Sequence, residues 1–599
     1  MNQFSPLQAY QQNITTFENQ LVSLKGKSSR IAWLRLVVFV ATIVAIRLTW
    51  GSDTWIVIGT TIAGIAIFLK LVAADADNKE EILNQERLLA ISKAEVDILH
   101  HNFAARDAGT EFMPPHHLYA KDLDIFGPAS LYQYINRCSS QQGKQLLAGH
   151  LLQPQPAGHI EMQQEAVKDL SQRPAWCQQL LSYGMAGAIT AATEKKLIQW
   201  LQQPPVMAQL YWKWLAYIYP VISIGTIILF AADVISTPAF NFILVLFFAF
   251  SFSLVRYTHP VYVLLSKAVD EVNTLQRQLQ HLENEQFNNR LIDGIKQQIK
   301  SNRAKTASQE ILELKNILNR FDLRLNIFAF AVLNTLLLWD LRQMLALNKW
   351  KQKNGQALPH YFDAIAKLEV TASLATLAFN QPGWCYPSVT GEHLTFSGTG
   401  IGHPLIQENK RVYNNFAMQG AGKVVLVTGS NMGGKSTFLR SVGINTVLAL
   451  AGSPVCAESF TVSHTQLMTS MRIEDNLAES TSTFYAELKK LETIIKAVNR
   501  GEKVFILLDE ILRGTNSLDR HTGSKALIQQ LIQHNATAII ATHDIELAKL
   551  QQNFPAAITN YHFDVQVANG ELYFDYKLKE GICQSLNASI LMKKIGIEM

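Results

Sequence analysis

Charge is scarce in this chain. Of 599 residues only 17% are Asp, Glu, Lys or Arg, against 48% apolar, a balance that leans away from an ordinary soluble protein. Neither sign dominates, with 53 basic and 48 acidic residues. That excludes a strongly basic nucleic-acid coat or an acidic tail, and permits a nucleic-acid or anionic-lipid partner without arguing for one. Cysteine is also sparse: Cys138, Cys177, Cys385, Cys456 and Cys583 lie far apart, without a CxxC pair. This excludes a disulfide frame and a cysteine zinc site, and fits a reducing compartment. There is no solenoid repeat and no low-complexity tract. The first thirty residues are polar, so no cleavable signal peptide is expected.

What is present is strongly segregated. Four apolar runs come as two close pairs. "IAWLRLVVFVATIVAIRLTW" (31–50) is followed after "GSD" by "TWIVIGTTIAGIAIFLKLVAA" (54–74), and "WLAYIYPVISIGTIILFAA" (214–232) after "DVISTP" by "AFNFILVLFFAFSFSLV" (239–255). Each is long enough, at about 1.5 Å per helical residue, to cross a hydrocarbon layer of about 30 Å. Trp33, Trp50, Trp55, Trp212, Trp214 and Tyr257 crowd their ends, where interfacial aromatics belong. The alternative, buried core helices, is weakest for residues 234–255, which carry no charge. It is strongest for the first run, where Arg35 and Arg47 would have to snorkel to opposite faces. Short connections make each pair a hairpin that returns the chain to the side it left. Lys25, Lys27, Arg30, Lys70 and Arg256 then share that side, which predicts a cytoplasmic (inner) membrane protein with both termini cytoplasmic. Membrane lipid is thus an expected partner.

A fifth run, "LNIFAFAVLNTLLLW" (325–339), is shorter and holds Asn326 and Asn334. It reads as a buried helix of a soluble core. Residues 266–320 are polar, contain Gly294 as their one Gly and no Pro, and space Leu275, Leu279, Leu282, Ile311, Leu314 and Leu318 helically. Two long antiparallel or lever-like helices are expected there. Lys296, Lys300 and Arg303 share one face, read as solvated, with a phosphate-binding stripe as the alternative.

The chemistry concentrates in the last third. "KVVLVTGSNMGGKSTFLRSVG" runs from a β-branched strand into a turn matching G-x-x-x-x-G-K-[ST] through Gly429, Gly434, Lys435 and Ser436, and then into a helix. Glycines at this spacing let backbone N–H groups curl around phosphate oxygens at a helix N-terminus. Lys435 would reach the β- and γ-phosphates of ATP, and Ser436 would ligate Mg²⁺. "KVFILLDE" supplies a second apolar strand ending in acid. There Asp509 would hold the metal through water and Glu510 would orient or deprotonate the attacking water. A third strand, "ATAIIATHD", ends in His543, a candidate γ-phosphate sensor. Ser480–Thr483 precede a helix, where capping fully accounts for their hydroxyls.

Together "TGSNMGGKSTFLRSVG", "DNLAESTSTFYAEL", "LLDEILRGTNSLDRHTG" and "ATHDIEL" resemble, in that order, the ATPase domain of the MutS mismatch-repair family. The tail at 576–597 and the stretch at 122–170 are similar to that family's closing segment and to the start of its helical lever core. The resemblance covers about residues 120–210 and 257–599. It implies an α plus α/β chain: a helical lever/core domain, here with two transmembrane hairpins, and a C-terminal P-loop (ABC-type) α/β ATPase domain. The expected divisions are an N-terminal segment (1–30), hairpin 1 (31–74), a connector with the first part of the core (75–210), hairpin 2 (211–257), the core continuation (258–385) and the ATPase domain (386–599). The resemblance places Gly429, Ser430, Asn431, Met432, Gly433, Gly434, Lys435, Ser436 and Thr437 around the nucleotide. Glu510, Lys435 and His543 take catalytic roles, and Ser436 and Asp509 hold the metal. It puts Ser482 on the nucleotide of the other subunit of a homodimer, and Tyr413 or Phe416 against adenine.

The departures matter as much. No Phe-x-Glu occurs, so the family's mismatch-reading wedge is missing. Only about 60 residues follow Lys267 before the next core helix, too few for a DNA-encircling clamp. The chain stops at Met599, so the helix-turn-helix appendage is not expected. The sequence therefore predicts a membrane-anchored, Mg-ATP-hydrolysing MutS-like dimer whose DNA binding is implied by resemblance alone. The alternatives are a membrane-remodelling, transport-like or scaffold ATPase that does not act on DNA.

Overall fold

The computed structural model describes residues 5–51, 53–300, 305–392, 394–430, 433–472, 483–568 and 571–583. Two helices open the chain, Pro6–Thr49 and Thr54–Leu99; the first runs unbroken from a polar half into an apolar half, and the second from an apolar half into a polar one. Ser5 starts the first with a capping box, and Asp53 caps the second at Trp55 N (3.2 Å). They pack side by side along their length, and a small residue permits the approach: a Cβ on Gly64 would meet Thr42 at 2.4 Å. Arg35 faces the second helix. It meets Asp75 of the second helix at 3.2 Å and lies over the Phe68 ring, because a carboxylate across the hairpin offers a nearer partner than solvent. The outward faces of the apolar halves, among them Val37, Phe39, Ile62 and Leu69, are exposed.

Helices Leu210–Ala231 and Thr237–Ser266 form the second pair. With the first two they make four helices long and apolar enough to cross a membrane. The run at 325–339 corrects the expectation of a buried core helix. It forms helix Ile327–Leu337, whose Ile327, Phe328 and Val332 are exposed, Phe328 to 81%. Asn334 is buried, and its side chain accepts from Asp340 N at 2.9 Å. Leu338 then adopts a left-handed conformation, and helix Trp339–Asn354 leaves at 78°. Helix Ile327–Leu337 thus ends inside its apolar run and packs against both helices of the second pair. The Tyr219 hydroxyl contacts the carbonyls of Phe247 (3.2 Å) and Thr335 (2.9 Å), and Ser223 donates to Leu336 O (2.6 Å).

The rest of the helical part forms the core. Residues 266–320 hold three helices rather than two: Val269–Asn284, Arg290–Ile299 and Ala307–Asp322. Asn289 and Thr306 each accept a backbone N–H as an N-cap, so local capping restarts the helix where apolar periodicity alone reads as continuous. Lys296 folds back onto Glu285 O and the Phe287 ring (5.1 Å), and so is not part of a free cationic stripe. Helix Leu358–Asn380 runs through the centre, buried on nearly every side, as expected of a helix that is apolar all round.

Two sheets complete the chain. β1 (Ser388–Thr390), β2 (Thr395–Ile401), β3 (Asn414–Gln419) and β5 (Ser459–Ser463) form one, in the order β1-β5-β2-β3. The other comprises β4 (Val424–Gly429), β6 (Gln466–Ser470), β7 (Val504–Asp509), β8 (Thr537–Thr542), β9 (Ile558–Ala568) and β10 (Glu571–Glu580). Its order is β10-β9-β4-β8-β7-β6, parallel apart from the β9–β10 hairpin.

The first hairpin is pinned to the core by buried polar groups. Glu95 accepts from Arg137 Nε (2.9 Å) and a terminal guanidinium nitrogen (2.8 Å), and from Asn380 Nδ2 (2.7 Å). Tyr10 donates to Asn380 Oδ1 (2.8 Å). Burial alone would raise the Glu95 carboxyl, yet the charge and hydrogen bonds of Arg137 hold it below the ordinary carboxylate range. Glu95→Gln leaves Arg137 buried and unpaired, and is expected to cost about 3–5 kcal/mol at neutral pH. Because the folded carboxyl is depressed, wild type loses this stabilisation as pH falls through the folded value. Denaturant titrations of both proteins should therefore converge only as the pH falls below the ordinary glutamate range and through the lower folded value.

Candidate functional site

β4 is almost wholly buried between β8 and β9. Thr428 pairs with Thr542 and Asp509 with Ala541, so β4, β7 and β8 end in line. Parallel sheets take ligands at this edge. After Gly429 the chain turns, and helix Lys435–Leu450 begins at Gly434, whose φ of 103° suits glycine alone. A Cβ on Gly434 would also stand 3.0 Å from the Tyr576 ring. The helix presents its positive end to the turn.

Four of the expected side chains meet there. Lys435 is buried to 4% exposure, and its Nζ donates to the carbonyls of Gly429 and Ser430, both at 2.9 Å. His543 lies 3.4 Å from that nitrogen and also contacts Glu510. Burial pushes the Lys435 ammonium down to about 8. The hydrogen bond from His543 holds the Glu510 carboxyl below its ordinary range. Asp509 is buried beside them, and its Oδ1 has no hydrogen-bond partner among the described residues; nor has the buried Ser430 Oγ. An orphaned carboxylate oxygen next to an anion-seeking turn fits a cation. Among the described residues no group of three or more His, Cys, Asp or Glu could hold a metal, so such a cation would take most of its ligands from a bound phosphate and water.

Lys435 and Glu510 line a cavity of about 400 Å³ together with Ser430, Gly433, Gly434, Ser436 and Thr437, while Asp509 and His543 stand outside its lining. The strip before β3 lines it too, through His403 and Lys410, as does Asn414 at the start of β3. Tyr413 and Phe416 do not. Tyr413 is exposed, with its carbonyl held by Lys577 Nζ at 2.8 Å. Phe416, 3% exposed, packs against Phe396, Phe438 and Tyr561 with ring centroids 5.5–5.6 Å apart. It is a core residue, because alternation along β3 turns position 416 inward. Asn431, Met432 and Ser482 lie outside the described residues.

Two participants were not singled out in the sequence. Arg513 places Nε 2.9 Å from Glu510 Oε2 and a second nitrogen 3.6 Å from Asp509 Oδ2. Its spacing from the strand-end acids is the signal that could have revealed it. Tyr576 covers Gly434 from β10, where a register shift between Phe574 and Leu578 makes room. That non-local placement leaves no sequence signal. The core role of Phe416 predicts that Phe416→Ala destabilises the nucleotide-free protein by about 3–5 kcal/mol in thermal or denaturant unfolding. A residue serving only to stack a ligand would leave the nucleotide-free protein unchanged.

Residues 425–594 match the family model described as MutS domain V. Among curated proteins, the chain is 33% identical over 234 residues to the DNA mismatch repair protein MSH3 of Phaeosphaeria nodorum, covering 38% of this chain and 21% of that protein. It is 31% identical over 250 residues to DNA mismatch repair protein MutS of Erythrobacter litoralis, covering 40% and 28%. It is 34% identical over 228 residues to MutS of Zymomonas mobilis, covering 37% and 26%. The chain thus spans between about a fifth and a little over a quarter of the length of these relatives. Its strand-end cluster lies within the matched stretch, so residues 425–594 carry a MutS domain V.

Proposed function

We propose that this protein is a Mg²⁺-dependent ATPase, anchored in the cytoplasmic membrane by two helical hairpins and dimerising around ATP, whose cycle moves its helical core against DNA. The observation that carries the reading is the meeting of Lys435, Asp509, Glu510 and His543 at one sheet edge within a MutS domain V. Residues 386–599 are the ATPase domain of this reading, and residues 75–210 and 258–385 its helical core.

The turn from Gly429 to Thr437 binds the phosphates through backbone N–H groups and the helix N-terminus. Lys435, freed from the loop carbonyls, neutralises the β- and γ-phosphates. Asp509 and Ser436 would hold Mg²⁺, which supplies charge neutralisation along the phosphate chain. Glu510 carries a depressed pKa, so it stays ionised and suits orienting the attacking water better than stripping its proton. His543 bridges Glu510 and Lys435, and so stands where the γ-phosphate would be sensed. Ser482 of one subunit reaching the other's nucleotide remains part of this reading.

Membrane anchoring is supported by the four long helices with uncovered apolar faces. DNA handling is supported by the relatives' shared description as DNA mismatch repair proteins. Reading of mismatches is left out, since the chain has no Phe-x-Glu.

Purified full-length protein should hydrolyse ATP. Lys435→Ala should abolish binding or turnover, whereas Glu510→Gln should bind ATP and lose at least about a hundredfold in turnover. Unchanged hydrolysis in Glu510→Gln would remove its role. Duplex DNA titrated across salt should show affinity falling steeply as salt rises. No affinity at low salt would overturn the DNA part and leave a membrane-remodelling ATPase.

A further inference from the structure

A large cavity lies where the second hairpin meets the core. It encloses about 1210 Å³ between helix Trp339–Asn354, the connection before helix Leu210–Ala231, and that helix's first two turns. Its lining contains five cations, Lys213, Arg320, Arg342, Lys349 and Lys351, and no carboxylate. Among the described residues none of the five forms an ion pair. Clustering like charges raises the energy of the fold unless an anion sits among them.

The walls are tied together. Arg342 donates to Ala216 O (2.9 Å), Asn348 Nδ2 to Val206 O (2.6 Å) and Lys351 Nζ to Gln203 O (2.6 Å). The Nε of Arg342 is buried and has no hydrogen-bond partner among the described residues. A guanidinium donor left unpaired at a cationic cavity is a ready contact for an oxyanion.

Position selects the anion's source. Lys213 stands between Trp212 and Trp214, and beyond Tyr217 helix Leu210–Ala231 turns outward with exposed Ile218, Val221 and Ile222. Trp339 joins the lining at the bend below helix Ile327–Leu337, whose own apolar face is uncovered. The cavity therefore sits level with the start of the apolar surface, where phosphates end and acyl chains begin.

We propose that this cavity binds the phosphate of an anionic phospholipid headgroup, with the acyl chains lying along helices Leu210–Ala231 and Ile327–Leu337. This rests on the membrane reading above, which alkaline carbonate extraction tests separately: a chain that leaves the membrane refutes the anchoring itself. For a chain that stays, full-length protein is placed in nanodiscs of phosphatidylcholine with and without phosphatidylglycerol, and the lipids retained after release are counted by native mass spectrometry. Wild type should keep phosphatidylglycerol over phosphatidylcholine. Lys213→Gln, Arg320→Gln and Lys349→Gln, all on exposed side chains, should weaken that preference roughly tenfold for each cation removed. The variant carrying Lys213→Arg, Arg320→Lys and Lys349→Arg should keep it, which separates loss of charge from loss of fold. No preference in wild type, or a preference indifferent to the Gln substitutions, overturns the proposal. So does displacement of the lipid by equimolar inorganic phosphate, which would reassign the cavity to a free anion, or by duplex DNA.

Discussion

Everything that could pass between the first apolar hairpin and the sheet edge depends on the buried pair of Glu95 and Arg137. Glu95 lies on the last turn but one of helix Thr54–Leu99, which continues without a break into the apolar hairpin. At about 1.5 Å per residue this 46-residue helix is about 69 Å long. A rod of that length transmits displacement only if its end is fixed. Glu95 fixes it to the core through Arg137 and Asn380, and Tyr10 ties the companion helix to the same Asn380. Separating the hairpin from the core would strip two buried charges of their partners, so the two move as one piece.

The second pair of helices is joined differently. Tyr219 and Ser223 bind the carbonyl end of helix Ile327–Leu337, and Asp340, just past the bend, meets Arg324 (3.4 Å) and Thr258 (3.3 Å). Here a broken helix, not a continuous one, connects apolar surface to core. A break leaves a joint, and the cationic cavity opens beside it. The two hairpins are therefore mechanically unlike: the first is a rigid extension of the core, and the second meets it at a bend.

How far the sequence could be read followed how local each feature is. The strand, turn and helix around Lys435, and the strands ending at Asp509 and His543, are contiguous patterns, and the fold assembles them as the patterns imply. The three-way alignment of their ends needs only a parallel sheet. The run at 325–339 went astray because length and two asparagines cannot say whether an apolar face meets protein or is left uncovered. Asn334 in fact caps the bend, and a capping role looks the same as a tolerated polar residue in a linear pattern. Arg35 found Asp75 forty residues away, and Phe416 found three aromatic neighbours from separate elements. Both depend on pairings that no window along the chain contains.

The core is joined to the six-stranded sheet at a second buried carboxylate. Asp122, 1% exposed, accepts from Thr469 Oγ1 (2.6 Å), Met471 N (3.1 Å), Arg472 N (3.2 Å) and Lys490 Nζ (3.1 Å). These partners lie at the end of β6 and on helix Thr483–Asn499, the two elements that bracket residues 473–482. Asp124, two residues on, meets Arg472 (2.9 Å) and Arg440, the latter on the helix that starts at Lys435 (3.6 Å). One short stretch of the core thus holds both flanks of the segment carrying Ser482 and also the helix behind the phosphate turn. A buried carboxylate with this many donors tolerates little displacement, because each lost bond leaves charge unsolvated. On the proposed reading, a shift of helix Lys435–Leu450 or of the segment around Ser482 on nucleotide binding must carry Asp122 and Asp124 with it. Through the core to which Arg137 also belongs, that shift would reach Glu95 and the first hairpin.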